Sequence, residues 1–261
     1  MEKSPPDQYF STTMEKGLSI LRLFDRDHTR LTLTQITGLC RLNKTTAYRL
    51  VNTLVTLGYL SKNPKSKVLR LGSNALVLGH NSLQGFELLQ AVKPLIDEAF
   101  SKWKITIDSA LLSDLELIAL YRRESSSTIF FRHPLVSQDL HARAMGKAVL
   151  ANLPPDKRDD ALRKIVLTPH TPNTITDHGD LKAELEKTRA RGYSVNNEEF
   201  FSGLVAIGAP LMNHQSKEVI GAVSFDYALG QKTLDEIIRD HSAVLMKMAN
   251  TLSDMLTITE N

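Results

Sequence analysis

Apolar residues recur through the first quarter of the chain at spacings of three and four. Over 14–27, Leu18, Leu21 and Phe24, with Ile20 and Leu23 beside them, mark one face of a helix, and Arg22 and Arg26 share the other. A shorter stripe of Leu33, Ile36 and Leu39 follows. It is preceded by Thr32, with Gln35 three residues on, the reciprocal pair of a helix N-terminus. Between 40 and 59 the stripe is Ala47, Leu50, Val51, Leu54 and Leu57, while Thr45, Tyr48, Arg49 and Asn52 gather on the opposite face. Two strand-like runs, 59–62 and 68–71, then bracket the polar turn N-P-K-S-K. Helix, turn, helix and basic hairpin in this order predict a winged helix-turn-helix over 14–72, preceded by a flexible tail, 1–13, that holds Pro5 and Pro6.

The pattern changes after the hairpin. Residues 73–85 predict a linker helix, capped by Ser73 or Asn74, whose Leu76, Val77 and Leu83 need cover from something, such as a second copy of the chain. An amphipathic helix interrupted at Pro94 comes next, then a hairpin over 106–123 turning at 114–116, and a third strand-like piece, T-I-F-F-R. The run H-A-R-A-M-G-K-A-V-L-A-N-L is helical and stops at Pro154. A short helix over 157–166, a loop over 168–178 and a charged helix over 180–191, ended by Gly192, follow it. Strands at 193–198, 204–211 and 219–227 precede a last helix, 233–255, with a long stripe from Leu234 to Met255. Residues 86–261 therefore read as an α+β domain, helices flanking a largely antiparallel sheet.

Composition adds limits. With 261 residues, 42% hydrophobic and 23% charged, the chain has room for two cores. No apolar run nears the roughly 18 residues of a membrane helix, and the start lacks the apolar core of a signal peptide, so a cytoplasmic location without membrane partners is expected. The single cysteine, Cys40, excludes an internal disulfide and a multi-cysteine zinc site, and reads as a small buried hydrophobe. Charge is informative through its distribution. Residues 1–75 carry 12 Lys and Arg against 5 Asp and Glu, a balance of +7, and the remainder carries 20 against 24, a balance of −4. The basic excess coincides with the helix-turn-helix pattern, which points to nucleic acid. The polar face of the 40–59 helix suits it: hydroxyls, an amide, a phenol and a guanidinium bond phosphates and base edges, and Lys44 stands at a helix start that favours anions.

Chemistry-bearing motifs are scarce. There is no nucleophile elbow, P-loop, dinucleotide fingerprint or H-E-x-x-H, and neither catalytic residues, metal ligands nor a cofactor are expected. His170 and His178 read as surface, and His141 lacks a neighbour to orient it as an acid or base. Gly146-Lys147 reads as an anion-binding helix start or as a packing glycine beside a solvated lysine. Ser224 and Asp226 lie two apart on a strand and share a face with Ile220 and Ala222, away from Val219, Val223 and Phe225. That face fits a small-molecule pocket or a strand end in solvent.

These residues together resemble the IclR-type transcriptional regulators over nearly the whole chain. L-T-L-T-Q-I, N-K-T-T-A-Y-R-L, L-G-Y-L and L-R-L-G are similar to its winged helix-turn-helix, and M-G-K-A-V-L-A-N-L, N-N-E-E and S-G-L-V-A-I-G-A-P to its effector domain. The resemblance implies a DNA-binding repressor that binds an operator duplex as a homodimer or dimer of dimers. It also implies a GAF-like C-terminal domain, here 86–261, that senses a small organic effector. Operator contacts then fall to Lys44, Thr45, Thr46, Tyr48 and Arg49, with Lys65 and Lys67 in the wing. Effector contacts carried over by motif are Phe130, Gln138, Ala144, Met145, Asn196, Leu204, Ala206, Ser224 and Asp226. Two departures stand out: Arg41 replaces a usual glycine, and Asp226 a small hydroxyl residue, which disfavours a small acid as effector unless a cation intervenes. The rival readings are an enzyme that turns over the second domain's ligand, and a DNA-binding protein whose second domain only oligomerises.

Overall fold

A computed structural model describes residues 9–25, 28–85, 87–126, 135–228 and 230–259. The chain divides into two units, Met1–Gly85 and Phe86–Asn261.

In the first, α1 (Thr12–Arg22) begins where Ser11 Oγ accepts from the Met14 amide at 3.3 Å, two residues before the segment expected from residue 14. The start of α2 (Leu33–Leu39) is the reciprocal cap expected of Thr32 and Gln35. The Gln35 amide donates to Thr32 Oγ1 and the Thr32 amide to Gln35 Oε1, an arrangement that contributes about 1 kcal/mol. Arg41, at φ 51°, turns the chain into α3 (Lys44–Thr56), opened by Asn43, whose Oδ1 accepts from the Thr46 amide at 2.8 Å. Ile20, Leu31, Ile36, Val51, Leu60 and Leu69 close one core beneath these helices and the antiparallel hairpin β1 (Leu60–Lys62) and β2 (Leu69–Leu71). Cys40 is half-buried at its edge, 3.8 Å from Ser19 Oγ. The unit ends in α4 (Ser73–Gly85), where Leu76, Val77 and Leu78 are exposed and Asn74 donates back to the Leu57 carbonyl at 2.8 Å.

The second unit is a six-stranded antiparallel sheet in the order β5-β4-β3-β8-β7-β6. Its strands are β3 (Thr106–Ser113), β4 (Glu116–Arg123), β5 (Val136–Ser137), β6 (Ser194–Asn197), β7 (Leu204–Met212) and β8 (Val219–Ala228). On one face α5 (Glu87–Trp103) and α9 (Leu234–Thr259) cover Ile107, Ile207, Val223 and Phe225. On the other, α6 (Ala144–Asn152), α7 (Pro155–Lys164) and α8 (His178–Arg191) cover Ala110, Leu117 and Ala222. Gly192, at φ 83°, ends α8 as expected.

Two expectations need correction. Pro94 lies inside α5 without interrupting it. It removes one hydrogen bond to the preceding turn, but Val92, Ile96 and Ala99 carry a buried stripe across it onto the sheet, and packing prevails. Val219 and Ile220 exchange faces. The β7 register shifts between Leu211, opposite Gly221, and Met212, opposite Val219, so the extra residue turns Val219 toward α6 and Ile220 toward α5 and α9. The strand-like piece expected over 128–132 lies outside the described residues; among these, β5 pairs with β4.

Candidate functional site

On α3, Ala47 and Val51 are buried, and Lys44, Thr45, Tyr48 and Arg49 are exposed, with Thr46 half-buried. The apolar stripe thus fixes the helix and leaves the polar face free. Lys62 Nζ lies 6.0 Å from the centre of the Tyr48 ring, which brings the hairpin beside that face. Lys65 and Lys67 are exposed on its turn, which Asn63 Oδ1 holds by accepting from the Lys65 and Ser66 amides at 2.9 Å. The sequence reading missed Arg30, Lys62 and Arg70. They line, with Thr32 and Gln35, an open groove of about 540 Å³ between the start of α2 and the hairpin. Lys62 and Arg70 lie on the two strands that flank the basic turn, and Arg30 just before the cap of α2, which was the available signal.

The second cluster lies on the α6 side of the sheet. Register places Ser224 and Asp226 of β8 beside Gly208 and Ala206 of β7 and beside Asp108 and Thr106 of β3. The start of α6 lies directly over this patch: a Cβ on Gly208 would stand 2.7 Å from the Ala144 carbonyl carbon, a contact only glycine avoids. Ser224 Oγ donates to Asp226 Oδ1 at 2.9 Å, and Asp226 hydrogen-bonds Asp108 side chain to side chain. Arg122 bonds Asp108, stands 3.8 Å from Asp226 Oδ2, and reaches Glu124 at 3.1 Å. Burial and the neighbouring Asp108 carboxylate push Asp226 up to about 7, and burial raises Asp108 despite Arg122, so the pair shares a proton near neutrality.

Leu204, Ala206, Ala144 and Met145 are buried around the patch. Asn196 is buried too, but its amide ends are held within the protein: Nδ2 donates to the Ala142 carbonyl at 3.0 Å and Oδ1 accepts from the Glu199 amide at 2.8 Å. Gln138 is exposed and donates to Glu116 Oε1 at 2.5 Å. Phe130 lies outside the described residues. The partners of Asp226 are therefore Ser224, Asp108 and Arg122. Asp108, Arg122 and Arg143 escaped the sequence reading, because which strands flank β8 is decided by long-range pairing.

Two motifs beside the patch differ from expectation. Lys147 is fully buried rather than solvated, with Nζ 2.6 Å from both carboxylate oxygens of Glu199. Burial lowers its pKa and raises that of Glu199, each opposed by the other's charge. His141 is buried, with Nε2 3.0 Å from the Thr168 carbonyl, and burial keeps it neutral by lowering its pKa. It stacks on His170, which is exposed at the surface as expected and bonds Asp139 at 3.1 Å.

A helix-turn-helix unit with a free polar recognition face, followed by an antiparallel α+β unit with a buried polar patch, is the arrangement of a DNA-binding transcriptional regulator. Residues 13–64 match the model of the IclR helix-turn-helix domain, and residues 80–254 that of the bacterial transcriptional regulator IclR C-terminal. The chain belongs to the IclR family of transcriptional regulators. It is 30% identical over 213 residues to the HTH-type transcriptional regulator XynR of Escherichia coli (strain K12), covering 81% of this chain and 84% of XynR. The crystal structure of Thermotoga maritima IclR matches with a TM-score of 0.67 at 27% identity, covering 94% of this chain and 98% of that one. An IclR homolog from Microbacterium hydrocarbonoxydans, complexed with 4-hydroxybenzoate, matches with a TM-score of 0.77 at 22% identity, covering 95% and 100%, a likeness of fold.

Proposed function

We propose that this regulator is an effector-responsive repressor of the cytoplasm that binds its operator as a homodimer or dimer of dimers. Lys44, Thr45, Thr46, Tyr48 and Arg49 enter the major groove, and Lys65 and Lys67 hold flanking phosphates. The single observation that carries this is the free polar face of α3 beside a basic hairpin on a well-cored unit. A small organic effector binds the second unit at the patch of Ser224, Asp226, Leu204, Ala206, Ala144 and Met145. The 4-hydroxybenzoate held by the Microbacterium homolog supports a small-molecule site in this fold. Effector binding acts by population shift: whichever arrangement of the DNA-binding units the ligand favours gains occupancy by the difference in its affinities.

The test is operator binding by the full chain in the presence and absence of a metabolite panel, with thermal shift on the same samples. A ligand at 100 times its Kd raises stability by about 2.7 kcal/mol. A compound that does so and also changes operator affinity identifies the effector. No retardation of any promoter fragment from the source genome would refute the operator reading. Stable product formed from a panel compound would favour an enzyme.

A further inference from the structure

The groove between the start of α2 and the hairpin is lined by Arg30, Lys62 and Arg70 and by no acid. Its charge is uncompensated along the chain as well. Between Asp27 and Glu87 the sequence carries no acidic residue, and among the described residues Arg30 and Arg70 form no ion pair.

Strand pairing brings these two arginines together. Leu31 and Leu69 bridge, each amide donating to the other's carbonyl, at 3.0 Å from Leu31 and 2.8 Å from Leu69. One step along this antiparallel register Arg30 faces Arg70, and Ser61 of β1 pairs with Arg70 on its other side. Leu31 and Leu69 are buried in the core of the unit, so the alternation of the strands turns Arg30 and Arg70 outward, and both are exposed. Like charges directly opposite on adjacent strands repel, and an anion held between them replaces that repulsion with two attractions.

The rest of the groove has matching chemistry. Gln35 Oε1 accepts from the Thr32 amide at 2.8 Å and from the Thr32 hydroxyl at 2.9 Å, so the cap of α2 fixes the side chain and leaves Nε2 to donate outward. Ser61 and Ser66 add hydroxyls. Guanidinium, ammonium, hydroxyl and primary amide are the side-chain groups that hold DNA phosphates. Lys62 joins the groove to α3, since it lines the one and has its Nζ 6.0 Å from the ring centre of Tyr48 on the other.

We infer that this groove is a further DNA-contacting surface: the sugar-phosphate strand beside the recognition helix runs along it, and one phosphate is bridged by Arg30 and Arg70. The inference rests on the operator reading above and extends the interface from the turn of the hairpin to its outer face and the segment leading into α2. A phosphate is the same in every sequence, so these contacts set register and reach on the duplex and leave base choice to α3.

The test uses the full-length protein, a promoter fragment that wild type retards, and an unrelated duplex of equal length. Affinities are measured for wild type, Arg30→Ala, Arg70→Ala and the double variant. Each single substitution is expected to weaken both duplexes by the same factor, about fivefold to tenfold. Because the side chains share one phosphate, the double variant should lose less than the product of the single losses. A methylphosphonate, which removes one phosphate charge, is then placed at each position of the fragment in turn. One position should weaken wild type and leave the double variant unchanged. Without DNA the variants should melt no lower than wild type, since each relieves a repulsion. Wild-type affinity in the double variant, a loss confined to the promoter fragment, a scan without such a position, or a lower melting temperature each overturns the inference and leaves the operator reading standing. If wild type retards no duplex, both fall.

Discussion

At the scale of the residue, Asp226 and Arg41 show how a side chain's surroundings change its meaning. An aspartate in solution ionises near 3.8, and burial beside Asp108 pushes Asp226 up to about 7. Between those values the folded chain keeps a proton that the unfolded chain has released, so stability must decline as pH rises through that window. Asp108, raised by burial, acts in the same direction. Asp226→Asn keeps a donor toward Asp108 and cannot ionise. Its melting temperature should therefore fall less than that of wild type from about pH 4 to 7, and parallel curves would show that the pair does not titrate in this range. Arg41 adopts φ 51°, a left-handed conformation that disfavours a side chain by about 1 kcal/mol. Arg41→Gly should raise stability to urea by up to that amount with operator affinity unchanged; a loss of affinity would instead make Arg41 a phosphate ligand. The positive φ was legible from the resemblance of the turn, whereas the proton shared by Asp108 and Asp226 was not, since the acids are 118 positions apart and meet only through the pairing of Thr106 with Asp226.

At the scale of the element, periodicity found the helices of the first unit because each buries one face, while α6, β7 and β8, buried on both faces, were read from apolar runs bounded by turn residues. The cap of α2, the polar face of α3 and the glycine after α8 are local and were readable. What failed was contextual: Pro94 inside a helix anchored on both sides, the bulge that exchanges Val219 and Ile220, and the burial of Lys147, whose partner Glu199 is 52 positions away. The same distinction separates two glycines. A Cβ on Gly208 would meet backbone atoms of Ala144 and Met145 within 2.9 Å, while one on Gly38, inside α2, meets nothing within 4 Å. Gly208→Ala must displace α6 or β7 and should cost roughly 1–3 kcal/mol, with effector affinity lost in proportion as the patch opens. Gly38→Ala should stabilise by about 0.5–1 kcal/mol through helix propensity alone. Denaturation midpoints check both, and equal effects would contradict the close approach of α6 to β7.

At the scale of the whole molecule, charge is divided between the units, +7 over residues 1–75 and −4 over the rest. The basic end gathers counterion-releasing contacts, and the acidic remainder keeps the second unit from adding non-specific ones. Operator affinity should therefore fall steeply with salt. Each phosphate contact contributes about 0.9 to the slope of log affinity against log salt concentration, and that slope counts contacts over all copies bound. Arg49 is exposed on α3, off the stripe of Ala47 and Val51, so Arg49→Ala should leave folding intact. If Arg49 touches a phosphate, the substitution removes one contact from every bound copy. The slope then becomes shallower by about one for a single copy, about two for a dimer and about four for a dimer of dimers with all recognition helices engaged. Lys65→Ala, on the hairpin turn, gives an independent count, and the two must agree. Filter-binding titrations on one operator fragment over a range of salt concentrations measure both slopes. An unchanged slope with lower affinity would assign Arg49 to a base edge, and unchanged slope and affinity for both variants would remove α3 and the hairpin from the DNA interface.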